Sequence, residues 1–224
     1  MIKAVIFDMY ETLVTQNRGP LYFGEHIAAD MGISEAKFRE IWDVTDDDRT
    51  LGKLTLRETI DMILKANDIY TKELSDKIVT KRSEIKKQHF RDFRDDIIPM
   101  LEGIKKLGIK IALISNCYEE EVPAIRESSI FPYFDVAMLS YEQGVMKPDQ
   151  EIYERAVKAL NVAAEECLYV GDGGSHELEA ALEAGMKPMQ ARWYLAENTR
   201  KPPKPKAGFE GFDRPEELTA FLMS

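Results

Sequence analysis

The stretch MIKAVIFDMYETL, residues 1–13, decides the fold. Within it Lys3–Phe7 (KAVIF) is a β-branched and aromatic run that stops abruptly at Asp8. Such a run suits a central parallel strand, buried on both faces, whose C-terminal end opens on a site. Similar runs recur at Ile109–Ile114 (IKIALI), Val136–Leu139 (VAML), Cys167–Val170 (CLYV) and, more weakly, Met189–Ala191. Helical patterns separate them, which predicts an α/β architecture with a parallel sheet.

Outward from the first strand, residues 15–93 have helical periodicity and no good strand, so they read as an inserted helical module. Phe23–Met31, Glu35–Val44, Leu56–Ala66 and Thr71–Arg91 carry apolar residues at helical spacing, with Gly32, Gly52 and Asn67 as breaks. Thr55 and Glu58 have the spacing of a capping box. Residues 1–14 and 94–224 then form the α/β core domain, with further helices at Ile98–Leu107, Glu119–Ser128, Asp149–Leu160 and Ser175–Ala184. The Pro- and Lys-rich TRKPPKPK, Thr199–Lys206, reads as an exposed, extended connection.

Composition narrows the function. The 224 residues are 44% hydrophobic and 31% charged, as in a soluble globular enzyme. Forty acidic against 30 basic side chains give a net charge of -10, which argues against nonspecific nucleic-acid binding and requires a local positive site for any small anionic substrate. Cys117 and Cys167 form no CxxC pattern, which fits reduced thiols in the cytoplasm. The apolar run before Asp8 is too short for a signal sequence or a membrane span.

Four groups at strand ends carry chemistry. Asp8 is placed to act as a carboxylate nucleophile, although a strand-end Asp in isolation also serves as a turn or helix-cap residue. Ser115-Asn116 offers a hydroxyl and a backbone donor for an oxyanion or phosphoryl oxygen, or a helix cap. Lys147, in VMKPD, is a fixed charge able to neutralise both nucleophile and substrate, or a solvated side chain. Asp172, followed by Glu177 at a helix start, suggests a hard cation; turn and first-turn acids are the alternative. For Mg²⁺, Asp8, Asp172 and one backbone carbonyl would suffice, with Glu177 standing behind them.

Taken in order, FDMYETL, LISNC, MKPD and VGDGGSHE resemble the four motifs of the haloacid dehalogenase (HAD) superfamily over nearly all the core. The resemblance implies a Rossmann-like core, a C1-type helical cap that closes the site and selects substrates, and catalysis by Asp8, Tyr10, Ser115 and Lys147. It implies Ser115, Asn116 and Lys147 as substrate-binding residues and Asp8, Tyr10, Asp172 and Glu177 as the metal set.

The pattern departs from the family at two positions. Phosphatases of the family have a second Asp, as leaving-group acid and water-activating base, where this chain has Tyr10. With an ordinary pKa of about 10, a tyrosine replaces that carboxyl poorly. Tyrosine here resembles the metal-independent 2-haloacid dehalogenases, but those replace the first motif IV acid by a hydroxyl residue, whereas this chain keeps Asp172. Glu11 stands where the family has Gly and reads as an exposed loop acid; Arg18, Arg49 and Tyr22 read as exposed loop residues rather than substrate contacts. His176 receives no role. The resulting expectation is a Mg²⁺-dependent hydrolase of a small phosphorylated metabolite, with a dehalogenase-like enzyme and a noncatalytic metabolite- or protein-binding module as alternatives.

Overall fold

The computed structural model describes residues 1–195 and 205–224, so most of the expected 199–206 connection lies outside the described residues. The elements run β1 (Ala4–Phe7), α1 (Gly24–Met31), α2 (Glu35–Trp42), α3 (Asp46–Thr50), α4 (Leu56–Ala66), α5 (Lys72–His89), α6 (Ile97–Lys106), β2 (Lys110–Ser115), α7 (Glu121–Arg126) and β3 (Val136–Leu139). They continue with α8 (Ser140–Gln143), α9 (Gln150–Leu160), β4 (Cys167–Gly171), α10 (Glu177–Glu183), β5 (Lys187–Ala191), β6 (Gly211–Phe212) and α11 (Pro215–Met223). The sheet is parallel throughout, in the order β3-β2-β1-β4-β5-β6.

Alternation along the strands divides the core between two faces. Val5 and Phe7 point with Ile111 and Leu113 towards α6, α7 and α11, while Ala4 and Ile6 point with Ala112 and Ile114 towards α9 and α10. Helices on both faces leave β1 fully buried, hence its unbroken apolar sequence. Register then places the chemistry. Phe7 is level with both Leu113 and Val170, so Asp8, Ser115 and Asp172 emerge together at one edge of the sheet.

The helices between β1 and β2 have a core of their own, built from Tyr22, Ile27, Phe38, Leu56, Ile60, Ile63 and Ile78. The expected capping box forms: Thr55 accepts from the Glu58 amide at 3.1 Å, and the Glu58 carboxylate accepts from the Thr55 amide at 2.8 Å. Sequence periodicity missed three short elements, α3, α8 and β6, each too brief to show a period. It also started α10 two residues early, because Ser175 and His176 adopt positive φ (49° and 52°) and delay the helix to Glu177.

Two of the three residues read as exposed loop positions are buried. Arg49 is 2% exposed; its guanidinium lies 3.7 Å from the centroid of the Trp42 ring and 4.7 Å from that of Tyr118, and Tyr118 Oη donates to Asp46 at 2.7 Å. Tyr22 is 4% exposed and donates to Asp30, at 2.8 Å. Arg18 is half-buried over the Tyr194 ring. The reason for the correction is tertiary: cation–π contact and packing make a buried home for a side chain that local sequence marks as polar.

The helical insertion meets the core mainly on one segment, Tyr118–Glu121. Arg82 of α5 donates to Glu120 at 2.5 Å, Lys86 pairs with Glu121 at 2.6 Å, and the Leu56 amide donates to Glu119 at 2.9 Å. All four partners of the two ion pairs are at most 7% exposed. Removing one member of such a pair leaves an uncompensated buried charge. Arg82→Met is therefore expected to cost ~3–5 kcal/mol in urea denaturation, and Arg82→Met with Glu120→Leu markedly less. Equal losses in the two variants would show that packing, not charge, fixes this contact.

Candidate active site

Asp8 follows β1 directly and is 6% exposed, its amide donating to Val170 O at 2.9 Å. The Lys147 ammonium contacts Asp8 Oδ1 and reaches Glu177 Oε2 at 2.5 Å; Thr12 donates to Asp8 Oδ2 at 3.3 Å. Lys147 comes from the loop before α9, and its backbone is clamped by Asn116. The Asn116 amide donates to Lys147 O at 2.9 Å, while the Lys147 N–H donates to Asn116 Oδ1 at 2.8 Å. Asn116 thus positions the lysine as well as facing the cleft. The neighbouring Ser115 is fully buried, its hydroxyl directed at Asn116 O at 3.4 Å.

Glu177 is 1% exposed and wholly engaged. Its Oε2 accepts from Lys147 and from Tyr169 Oη at 2.8 Å, and its Oε1 accepts from the Gly173 amide at 3.0 Å. Gly171 makes room for it: a Cβ there would lie 2.2 Å from Glu177 Oε1. Tyr169 went unnoticed in the sequence, although a tyrosine in the otherwise apolar CLYV strand was the available signal.

Asp172 Oδ1 accepts from the Gly174 amide at 2.9 Å, and Oδ2 accepts no hydrogen bond from a described residue. Carboxylate oxygens of Asp8, Asp172 and Glu177 lie within 4.8 Å of one another. Three carboxylates therefore share one ammonium. Burial, and then the Glu177 charge, push Asp8 up to about 7 against the pull of Lys147. Burial, Glu177 and then Asp8 push Asp172 up to about 8. The same carboxylates hold Lys147 well above the usual lysine range despite its burial. An excess of hard oxygen donors, two of them on acids that resist ionising alone, fits a divalent oxygen-seeking cation such as Mg²⁺. Asp8 and Asp172 would hold it. Glu177, with both oxygens occupied, would orient Lys147 behind them.

Tyr10 does not face this cluster with its hydroxyl. The ring packs edge-on to Phe90 at 5.9 Å, the Lys86 ammonium lies 5.3 Å from its centroid, and the phenol oxygen is buried with no hydrogen-bond partner among the described residues. Burial and the nearby Glu121 push its pKa well above 10, so the phenol stays protonated. Its backbone carbonyl accepts no hydrogen bond from a described residue and is the part of Tyr10 suited to a cation.

Glu11 is a correction: it is half-buried, not exposed. Its φ is +56°, a conformation that a glycine adopts freely. The carboxylate accepts from Thr15 Oγ1 at 2.8 Å, the Gln16 amide at 3.1 Å and Asn17 Nδ2 at 3.3 Å, tying down the loop after β1.

Above these groups lies a cleft of about 1090 Å³ between the helical insertion and the sheet edge. Asn116 and Lys147 lie on its core side, Tyr10, Gln16 and Glu121 at its flank, and Trp42, Arg82 and Lys86 on the insertion. His176 also borders it, whereas Arg18, Tyr22 and Arg49 do not. No described helix is long and apolar enough to cross a membrane.

The chain resembles known proteins in sequence and in fold. Over 98 residues the chain is 32% identical to a glyceraldehyde 3-phosphate phosphatase of Methanopyrus kandleri, an alignment covering 43% of this chain and 42% of that protein. The chain thus spans about two fifths of the length of such curated relatives. A HAD phosphatase from Thermococcus onnurineus has the same fold, with a TM-score of 0.67 at 19% identity over 99% of this chain and 98% of that one. So does a 2-haloacid dehalogenase from Pseudomonas syringae pv. Tomato DC3000, with a TM-score of 0.65 at 18% identity over 100% and 99%. A family model for the haloacid dehalogenase-like hydrolases matches residues 2–185, and the four motifs fall at the strand ends inside that span. The chain belongs to the haloacid dehalogenase-like hydrolase family.

Proposed function

We propose that this hydrolase releases phosphate from a small phosphorylated metabolite through an aspartyl-phosphate at Asp8, with Mg²⁺ as cofactor. Residues 15–93 act as a C1-type cap over a core formed by 1–14 and 94–224. The observation that carries this reading is the excess of carboxylate at the sheet edge: Asp172 beside Asp8 and Glu177, against the single ammonium of Lys147. The phosphatase names of relatives that match under half of the chain support it.

In this mechanism Asp8 attacks phosphorus and water later hydrolyses the mixed anhydride. Lys147 neutralises the nucleophile before attack and the phosphoryl oxygens during transfer, and Asn116 keeps it in place. A cation held by Asp8 and Asp172 would supply charge neutralisation for the phosphoryl group. Burial of Asp8 and Lys147 strengthens each of these electrostatic contacts.

Tyr10 favours a second reading, in which Asp8 displaces halide from a 2-haloacid and no leaving-group acid is needed. Phosphate and halide release from substrate panels, with Mg²⁺ or chelator, separates the two. Phosphate release that needs Mg²⁺ and falls at least ~1,000-fold in Asp8→Asn is expected. Metal-independent halide release would replace the phosphatase reading, and undiminished turnover in Asp8→Asn would remove the nucleophile.

The raised carboxyls also make stability depend on pH. From 3.8 up to about 7 for Asp8 and about 8 for Asp172, the folded protein holds protons that the unfolded chain has released. Their contribution to metal-free stability therefore falls as pH rises through that window. Thermal melts in chelator should show a steeper fall from pH 5 to pH 8 for the parent than for Asp172→Asn, by about 1 kcal/mol or more. Mg²⁺ should stabilise the parent more at pH 8 than at pH 5, and calorimetry should find weaker Mg²⁺ binding in Asp172→Asn. Matching pH slopes and equal affinities would count against the metal site.

A further inference from the structure

If the chain is a phosphatase, something must meet the charge that appears on the leaving oxygen, and Tyr10 cannot. Its phenol stands in place of the usual carboxyl acid and is turned into the protein beside Glu121. The neighbouring group that does face the cleft is Lys86, near the end of α5. Lys86 is 5% exposed, so its position is set by packing and by two acceptors: Gln16 Oε1 at 2.8 Å and Glu121 Oε1 at 2.6 Å. Glu121 is itself fixed by the Tyr118 amide at 3.0 Å. An ammonium has three donors, and these contacts engage two of them.

We propose that Lys86 is a further catalytic residue, whose remaining N–H meets the leaving-group oxygen of a phosphomonoester and stabilises the charge developing there. This rests on the phosphatase reading of the same site. As the Asp8 oxygen–phosphorus bond forms, the bond from phosphorus to the leaving oxygen breaks and its electron pair passes to that oxygen. Lys86 holds the oxygen by a charge-assisted hydrogen bond. The oxygen then takes a proton from a cleft water and departs as the alcohol. The resulting hydroxide attacks phosphorus, returning the Asp8 carboxylate and hydrogen phosphate. No carboxyl acid at position 10 is required, and Gln16 and Glu121 act as positioning residues for Lys86.

Such a role matters most when the leaving group is a poor one. Kinetics on glycerol phosphate, whose alkoxide is strongly basic, and on p-nitrophenyl phosphate, whose phenolate leaves unaided, distinguish it from a structural role. Lys86→Met is combined with Glu121→Gln so that no buried carboxylate is left unpaired. The double variant is expected to lose kcat/KM about 100-fold further on glycerol phosphate than on p-nitrophenyl phosphate. Lys86→Arg, which keeps the charge, should hold the ratio of the two near the parent's. Lys86→Gln supplies the same comparison if the double variant melts below the assay temperature. Equal losses on the two substrates would overturn the assignment while leaving the phosphatase reading intact. No phosphate release by the parent from either substrate would overturn both.

Discussion

The site is organised by one ammonium. Lys147 lies between Asp8 and Glu177, on the edge of a sheet that is otherwise apolar on both faces, and a charge so deeply placed persists only if it is paired. Much of the surrounding architecture serves that pairing. Asn116 grips the lysine's backbone, Tyr169 completes the hydrogen bonding of Glu177, and Gly171 keeps a side chain out of the space that the glutamate needs. The arrangement also explains why two acids so close together can be tolerated at all. Lys147 offsets part of their repulsion, and the remainder is what a divalent cation would take up.

A second set of buried charges fixes the helical insertion to the core. Arg82 and Lys86 lie one turn apart on α5 and meet the consecutive Glu120 and Glu121, while Arg49 is held between Trp42 and the core residue Tyr118. These contacts fall on the segment that directly follows Ser115 and Asn116. The insertion is therefore anchored beside the chemistry, and the segment that positions Lys147 also carries the load of docking.

How much of this the sequence disclosed depends on how local each cause is. The buried strands and their terminal acids were legible because an apolar run that halts at a polar residue is a statement about neighbours in sequence. The convergence of Asp8, Lys147, Asp172 and Glu177 was legible only through the resemblance of their order to a family, since no spacing within one segment dictates it. Arg49, Tyr22 and the α5 cations were misread or passed over for the converse reason. Their partners lie up to 70 residues away, as Lys86 and Gln16 do, and a basic residue looks the same from its neighbours whether it is solvated or enclosed by rings. The spacing of Arg82 and Lys86, four apart beside the buried Ile78, was the one available hint.

Glu11 shows how the side chains beside such a site depend on one another. A side chain at +56° costs about 1 kcal/mol relative to glycine, and here the loss is offset by bonds from Thr15, Gln16 and Asn17. Without Thr15 and Asn17 the glutamate would lose the bonds from their side chains, and less of the strain would be offset. A glycine at position 11 would in turn strand the donors that the carboxylate now satisfies. Positions 11, 15 and 17 therefore act as one unit, and a glutamate grafted alone onto such a turn would import the strain with less of its remedy.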